Sequence, residues 1–353
     1  MRLRSDICLS CIPFTAGVAL PSLLPEHLHA AAATVSLPCA IVSALCFLHD
    51  GRRKAFILSA LLFAGIFCQC CSGLGVSVHT GGGIAEKAMD RLCARIDSLE
   101  FRHAGTGGLV KALVTGRKDG LDPATVEAFR ICGTSHILAL SGMHLCVLYA
   151  MISTALSWTG GNRTALAARS ILSVLLCSCY CAMAGSGESL VRAVLFVCVN
   201  EAARNFPGRR RLGGNVFCAA LTVQLIIDPG AVRSVGFQLS YLSVLAIITL
   251  YPKLDALVRA EDGRAVKKIW SAAALSISCQ LYTAPAVLWY FRSFPPYFLI
   301  SNLIGVPLST ALMIVSIICI LLSLPGICPD MMLRLTELLS QALILTMDTV
   351  SGF

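Results

Sequence analysis

The chain has 353 residues, of which 56% are hydrophobic and only 13% are charged, with a mean hydropathy of +0.78. Soluble domains carry about a quarter charged residues and can bury only a limited apolar fraction, so this composition argues against a soluble fold. The formal net charge of +9 does not by itself indicate nucleic acid, because lysine and arginine collect in the cytoplasmic loops of membrane proteins.

Apolar segments recur along the whole chain. Three open it, at about 7–25, 28–48 and 55–73, and we expect the first to remain as a helix rather than to be cleaved as a signal peptide. Further segments lie at about 134–157, 165–184, 189–203, 214–228, 235–251, 269–291, 298–324 and 331–350. This pattern predicts an all-α, polytopic transmembrane bundle of about ten or eleven helices, with room for re-entrant or broken helices.

The chain divides into three parts by composition. Residues 1–75 are predicted as N-terminal transmembrane helices, 76–130 as a short polar outer-face segment, and 131–353 as a second transmembrane part. Within the polar segment, Met89, Leu92 and Ile96 fall on one face of a helix. A cytoplasmic N-terminus places the basic turns at 52–54, 204–211 and 253–268 inside, as the positive-inside tendency requires.

The 18 cysteines lack the spacing of zinc sites and are interpreted as small apolar packing residues. The sequence also lacks a Walker A loop, an H-E-x-x-H motif and a G-x-S-x-G motif. We therefore expect no metal, no cofactor and no catalytic residues.

Polar side chains within apolar segments are costly in lipid and indicate either a wet path or hydrogen bonds between helices. The first cluster holds Ser135, His136, Ser141 and His144 at the start of an apolar helix, with Ser141 and His144 on one helix face. It fits a polar pore lining or an activated serine. The alternative is a helix cap formed by Thr134 or Ser135, with Gly142 allowing close packing.

The second cluster, Gly185 to Arg192, interrupts two apolar runs with Glu188 and Ser189. Glu188 and Arg192 are four residues apart, which suits an ion pair on a helix. The segment fits either a broken helix that lines a cavity or an ordinary outer loop with an interfacial ion pair.

Two further clusters hold Gln238 with Ser240, and Gln280 with Asn302 near Pro285 and Pro307. These side chains are expected to face inward from kinked or packed helices. Hydrogen bonding between helices would explain these polar side chains as well as a water-filled path would.

In combination these clusters resemble one family, the ComEC-type competence proteins. The shared elements are the run Gly133-Thr134-Ser135-His136 through Ser141-Gly142-Met143-His144, then Ser189-Leu190-Val191-Arg192-Ala193, then Asp228-Pro229 with Gly236-Phe237-Gln238-Leu239-Ser240, and then Asn302 to Pro307. They occur in the family's order, and the resemblance covers about residues 110–350.

The resemblance implies a channel for single-stranded DNA uptake during natural transformation, in the bacterial inner membrane and in contact with its lipid. Its implied partners are an outer DNA receptor, a cytoplasmic translocase and a separate nuclease. The path candidates are His136, Ser141, His144, Glu188, Ser189, Arg192, Gln238, Ser240 and Asn302, with Arg130 and Arg233 as further cations.

This chain differs from many members of that family in two ways. About fifty residues stand where many members have a soluble outer domain, and the nuclease-like C-terminal domain of many members is not seen, so we expect no enzyme activity. The rival functions are secondary transport of a small solute and intramembrane hydrolysis with Ser141 as nucleophile and His136 or His144 as base.

Overall fold

A computed structural model describes residues 6–25, 28–49, 53–72, 83–103, 105–159, 163–205, 213–258, 261 and 263–352. Within these ranges the chain forms helices and no β-strand, which confirms the all-α prediction. The helices are α1 Asp6–Ala19, α2 His29–His49, α3 Arg53–Ser72, α4 Ile84–Asp97, α5 Thr106–Thr115, α6 Pro123–Ile131, α7 Ser135–Leu138, α8 Gly142–Ala155, α9 Arg163–Met183, α10 Glu188–Asn205, α11 Gly213–Ile227, α12 Val235–Thr249, α13 Tyr251–Asp255, α14 Arg264–Phe291, α15 Phe298–Ser323 and α16 Asp330–Ser351.

Three of the described helices are long and apolar enough to cross a membrane: Thr164–Met183, Arg264–Phe291 and Phe298–Ser323. Five shorter apolar helices accompany them, at Ala31–Ser43, Leu58–Cys70, Gly142–Trp158, Gly213–Ile227 and Val235–Thr249. Several predicted spans are shorter than expected because the chain turns within them. The apolar segment predicted at 134–157, for example, breaks before α8 begins at Gly142.

The helices group into two compact units. The first contains the described residues of 1–79 and 195–244. Its α1 and α3 cross with their backbones in contact, since a Cβ added to Gly17 would lie 2.0 Å from the Leu62 carbonyl oxygen. Close helix approach at small residues is typical of membrane proteins. Of the predicted basic turns, Arg52 and residues 206–211 lie outside the described residues, whereas Arg53 and Lys54 begin α3.

The second unit contains the described residues of 80–194 and 245–353. Its main core lies among α5, α6, α7, α15 and α16 and includes Leu113, Phe129, Leu138, Leu312 and Leu343, all at most 1% exposed. The helix α14 packs beside α15, and α8 contacts both α9 and α15. The start of α8 packs in a second cluster, which contains Leu145, Leu190 and Ala193.

The segment predicted to be polar is part of this core. In α4 the predicted inner face is confirmed, because Met89 and Ile96 are buried and Leu92 packs against the core. The following helix α5 is buried along nearly its whole length and is mostly apolar, and its one charged residue, Lys111, pairs with Asp97 at the end of α4. A short helix that is mostly apolar must be covered on most of its faces, and α15 and α16 supply that cover.

Candidate functional site

The chain turns sharply between α6 and α8. Gly133 follows α6 with a φ of +70°, a conformation that glycine adopts without strain. The Thr134 hydroxyl donates to the Phe129 carbonyl oxygen at 3.1 Å and closes this turn. The helix α7 then lasts one turn, and extended backbone at Ala139 and Ser141 separates it from α8. The polar residues of this segment therefore flank a break rather than follow one continuous helix.

Ser141 is the N-cap residue of α8, and His144 is the third residue of that helix. The Ser141 backbone N–H donates to His144 Nδ1 at 3.2 Å, and Ser141 Oγ lies 2.9 Å from the same nitrogen. The two residues form a capping box in which histidine takes the place usually held by glutamate or glutamine. The predicted contact between them is present, but as a cap and not as a pair on a helix face.

The expectation that Thr134 or Ser135 caps the helix is wrong. Thr134 precedes only the single turn of α7 and makes no side-chain cap there, whereas Ser141 caps the longer α8. The reason is the extended backbone after Leu138, which starts a new helix.

The backbone N–H and the hydroxyl of Ser141 both contact the same ring nitrogen of His144, Nδ1. Because Nδ1 faces the Ser141 N–H, it is an acceptor, and the proton of the neutral ring belongs on Nε2. Nε2 is fully buried and has no hydrogen-bond partner among the described residues. His136 is exposed, yet near enough to His144 for the two rings to interact electrostatically. His144 thus presents one ring N–H, on Nε2, near the start of α8.

Arg192 packs against the first turn of α8. A Cβ added to Gly142 would lie 3.2 Å from Arg192 Nη2 and 3.5 Å from the Ala193 Cβ. The guanidinium also contacts Ser189 Oγ at 3.5 Å, and the residue is only 7% exposed. A glycine at the first position of α8 is what lets the guanidinium approach the helix so closely.

The charge of Arg192 adds to that of the helix end. The first N–H groups of an α-helix carry a partial positive charge. The start of α8 and the Arg192 guanidinium therefore form a site of positive electrostatic potential. Burying a cation in a membrane protein is costly and typically marks an ion or substrate path.

The turn before α10 supports Arg192. Gly185 and Ser186 both have positive φ, +81° and +53°, and end α9 so that α10 begins at Glu188. The predicted break in this segment is therefore present. Glu188 and Ser189 are half-buried in the first turn of α10, one turn before Arg192. An acidic residue at this position also suits the positive end of its helix.

Asn302 lies on α15, beside the α7–α8 segment. Its Oδ1 is buried and has no hydrogen-bond partner within the part of the chain that the structure describes. One turn later, a Cβ added to Gly305 would contact the Ile137 side chain at 3.4 Å. Gln280 on α14 likewise has a buried Nε2 without a described partner.

Gln238 and Ser240 lie on α12 in the first unit, and the structure does not group them with the residues above. Gln238 Nε2 donates to the Val232 carbonyl oxygen at 2.9 Å, within the short helical turn before α12. Three residues later, Tyr241 donates to Gln224 Oε1 at 2.8 Å and joins α12 to α11. Hydrogen bonds that hold helices together therefore account for part of this cluster.

The other predicted cations have different surroundings. Arg130 is exposed and forms an ion pair with Glu127, with Nε 2.8 Å from Oε2. Arg233 is exposed in the turn before α12. Neither is buried like Arg192, which is therefore the most enclosed of the three predicted cations.

Two buried polar residues were missed by the sequence analysis. Gln224 stands in the apolar run of α11, and Glu201, only 3% exposed, pairs with Arg204 at 2.9 Å near the end of α10. A single polar residue within an apolar run was the available signal. Among the described residues no group of three or more histidine, cysteine or acidic side chains is arranged to hold a metal ion.

Comparison with known families gives one match that covers more than half of the chain. The model of the family described as "Competence protein" matches residues 113–353. This chain belongs to the competence protein family. The matched region includes every path candidate named from the sequence, from His136 to Asn302.

Two curated relatives match parts of the same region. ComE operon protein 3 of Bacillus subtilis (strain 168) is 27% identical over 203 residues, which is 58% of this chain and 25% of the relative. Competence protein ComA of Neisseria gonorrhoeae is 32% identical over 181 residues, which is 48% of this chain and 25% of the relative. The matched part thus spans about a quarter of each relative. No solved structure matches.

The family and the apolar helices together make this chain a membrane protein.

Proposed function

We propose that this competence-family protein forms part of a passage for single-stranded DNA through the bacterial inner membrane during natural transformation. The observation that carries the proposal is the buried Arg192 guanidinium packed against Gly142 at the positive end of α8. A single DNA strand carries one negative phosphate per nucleotide, and such sites bind it without regard to base sequence.

The neutral polar groups near this charge suit transit rather than tight binding. His136, His144, Ser141 and Asn302 offer hydrogen bonds to a passing strand, and Gln238 and Ser240 are separately proposed as contacts for DNA. A path must bind its cargo weakly enough to release it, so one buried cation among neutral donors is a suitable composition. Ser189 contacts the Arg192 guanidinium at 3.5 Å, and Glu188 is proposed to balance its charge from the same turn of α10.

The family relation also suggests the orientation of the chain in the membrane and its partner proteins. The N-terminus is proposed to be cytoplasmic and residues 76–130 to belong to the outer side. An outer receptor delivers the DNA, and a cytoplasmic translocase pulls it, since the sequence has no Walker A loop to drive movement. A separate nuclease removes the second strand.

The test is replacement of Arg192 in the host, with labelled DNA and equal membrane levels of each variant. Arg192→Ala is expected to lower uptake by about 10- to 100-fold, and Arg192→Lys to retain part of it because the charge remains. Arg334→Ala, which removes an exposed cation on α16, serves as the control and should change little. Normal uptake by Arg192→Ala would remove this residue from the mechanism.

A second function, hydrolysis within the membrane, is favoured by the 2.9 Å contact between Ser141 Oγ and His144 Nδ1. A serine activated in this way reacts with a fluorophosphonate probe, and Ser141→Ala would abolish the labelling. Absence of labelling in the wild-type protein would leave the capping role as the whole explanation of this contact.

A further inference from the structure

We propose that Cys319 and Cys328 form a reversible disulfide that ties the last turns of α15 to the loop leading into α16. Their Sγ atoms lie 3.2 Å apart, and both residues are free thiols in the structure. This inference is independent of the DNA passage. It rests on a pair of residues that play no part in the candidate site.

The backbone between the two cysteines holds them in place. Gly326 ends α15 in the left-handed conformation, with a φ of +75°. Its N–H donates to the Ser323 carbonyl oxygen at 3.0 Å, and the Ile327 N–H donates to the Leu322 carbonyl oxygen at 3.1 Å. These two bonds form a Schellman motif, which sets the direction in which the chain leaves the helix.

The turn is also held from outside. The Arg95 side chain of α4 donates to the Ser323 hydroxyl at 3.1 Å and to its carbonyl oxygen. Cys319 is fully buried, while Cys328 is half-buried at the start of the following segment. Because the backbone already brings the two sulfurs together, forming the bond requires only small side-chain movements.

The difference in exposure gives the order of the reaction. An oxidised thiol–disulfide oxidoreductase is first attacked by the Cys328 thiolate, and a mixed disulfide forms as one enzyme thiol leaves. The Cys319 thiolate then attacks the Cys328 sulfur and releases the second enzyme thiol. Two protons and two electrons leave the cysteine pair, and the disulfide of the oxidoreductase is reduced.

The closed bond restrains residues 319–328 and thereby the α15–α16 turn. A covalent link across this short loop lowers the number of open states available to it. Amide exchange at residues 324 and 326–328, which carry the exchangeable N–H groups of this loop, is therefore expected to slow by about tenfold on oxidation and to recover with reductant.

The tryptic peptide that follows Arg292 and ends at Arg334 makes the test direct, because Cys319 and Cys328 are the only cysteines in it. The full-length protein in membranes is treated briefly with diamide, which accepts the two electrons across its N=N bond, and free thiols are then alkylated. The peptide is expected to lose both alkyl groups, to become two hydrogen masses lighter, and to regain both groups after treatment with dithiothreitol.

Two variants and an internal control complete the design. Cys328→Ser should leave Cys319 alkylated after oxidation, whereas Cys146→Ser, at an exposed cysteine on α8, should not affect the pair. The tryptic peptide that ends at Arg192 carries three cysteines of α9 and reports general oxidation. The proposal is overturned if both target cysteines stay alkylated while those of α9 are oxidised, or if Cys328 bonds to a cysteine outside its own peptide.

Discussion

At the scale of single residues, the contact on which the proposed site depends most is that of Arg192 with Gly142. The 3.2 Å between the Arg192 Nη2 and a Cβ built on Gly142 is tighter than an ordinary contact, so an alanine would push the guanidinium away from α8. Alanine is a better helix former than glycine, which means that helix stability would not fall for reasons of propensity. A functional loss would therefore report the displacement of Arg192.

Gly142→Ala is expected to lower DNA uptake by about tenfold at an unchanged membrane level. Gly187→Ala is the matched control, because a Cβ at Gly187 meets nothing within 4 Å and the two glycines lie at the starts of neighbouring helices. Transformation frequencies of the two variants, normalised to membrane content, give the measurement. Equal and normal frequencies would show that the contact has no role in uptake.

Some of this residue-level detail was accessible from the sequence. The polar positions Ser141 and His144 stood out because they interrupt an apolar segment, and their contact was predicted from their spacing. The form of this contact, a helix cap, was not predicted. The start of α8 depends on the positive φ of Gly133 and the extended backbone of Ala139. The approach of Arg192 to Gly142 joins positions 50 residues apart, and no local pattern in one sequence carries such a contact.

At the scale of elements, the end of α15 depends on a side chain from α4. The Ser323 carbonyl oxygen already accepts the Gly326 N–H, and the Arg95 guanidinium gives it a second donor while adding a positive charge at the negative helix end. Arg95→Ala should lower the free energy of unfolding by about 1–3 kcal/mol. Arg91→Ala, at an exposed position on the same helix, should change it little.

Thermal unfolding of the purified variants in detergent measures this difference. The prediction fails if Arg91→Ala and Arg95→Ala unfold at the same temperature as the wild-type protein.

The link between α13 and α14 supplies a pH-dependent contribution to stability. The Ser271 hydroxyl donates to Asp255 Oδ1 at 2.5 Å and Lys267 Nζ lies 2.9 Å from it, and these contacts hold the pKa of Asp255 below its ordinary value of 3.8. A lowered carboxyl pKa stabilises the folded state fully above the unfolded-state value, and the contribution is lost as the pH falls through the folded-state value.

Asp255→Asn should therefore unfold more easily than the wild-type protein at neutral pH, and the difference should shrink as the pH falls below about 4. Unfolding temperatures measured between about pH 3 and pH 7 test this. A difference that stays constant over that range would contradict the account of the link.

The order and type of the helices were more predictable than their ends. Long apolar runs such as α9, α14 and α15 are helical because only internal hydrogen bonding satisfies a backbone in lipid. The environment of α4–α6 was harder to predict. The charged residues of this segment suggest an exposed surface, whereas α5 packs against α15 and α16. Composition reports the average of a segment and does not show which partner covers each face.

At the scale of the whole molecule, the family match and the site lie in the same part of the chain. The competence family model covers residues 113–353, which contain α8, α10 and α15. Each of these helices brings one polar group to the second unit's candidate site: His144, Arg192 and Asn302. A membrane protein keeps such groups at a cost, and the proposed passage for a DNA strand would give that cost a function.

The most direct measurement is photocrosslinking to incoming DNA in transforming cells. A photoreactive amino acid replaces Ser189, which contacts Arg192, and in a parallel strain replaces Leu345, an exposed apolar residue of α16. Labelled DNA is added and the cells are irradiated during uptake. The account predicts a protein–DNA adduct from position 189 and none from position 345, whereas continued uptake without any adduct at position 189 would contradict it.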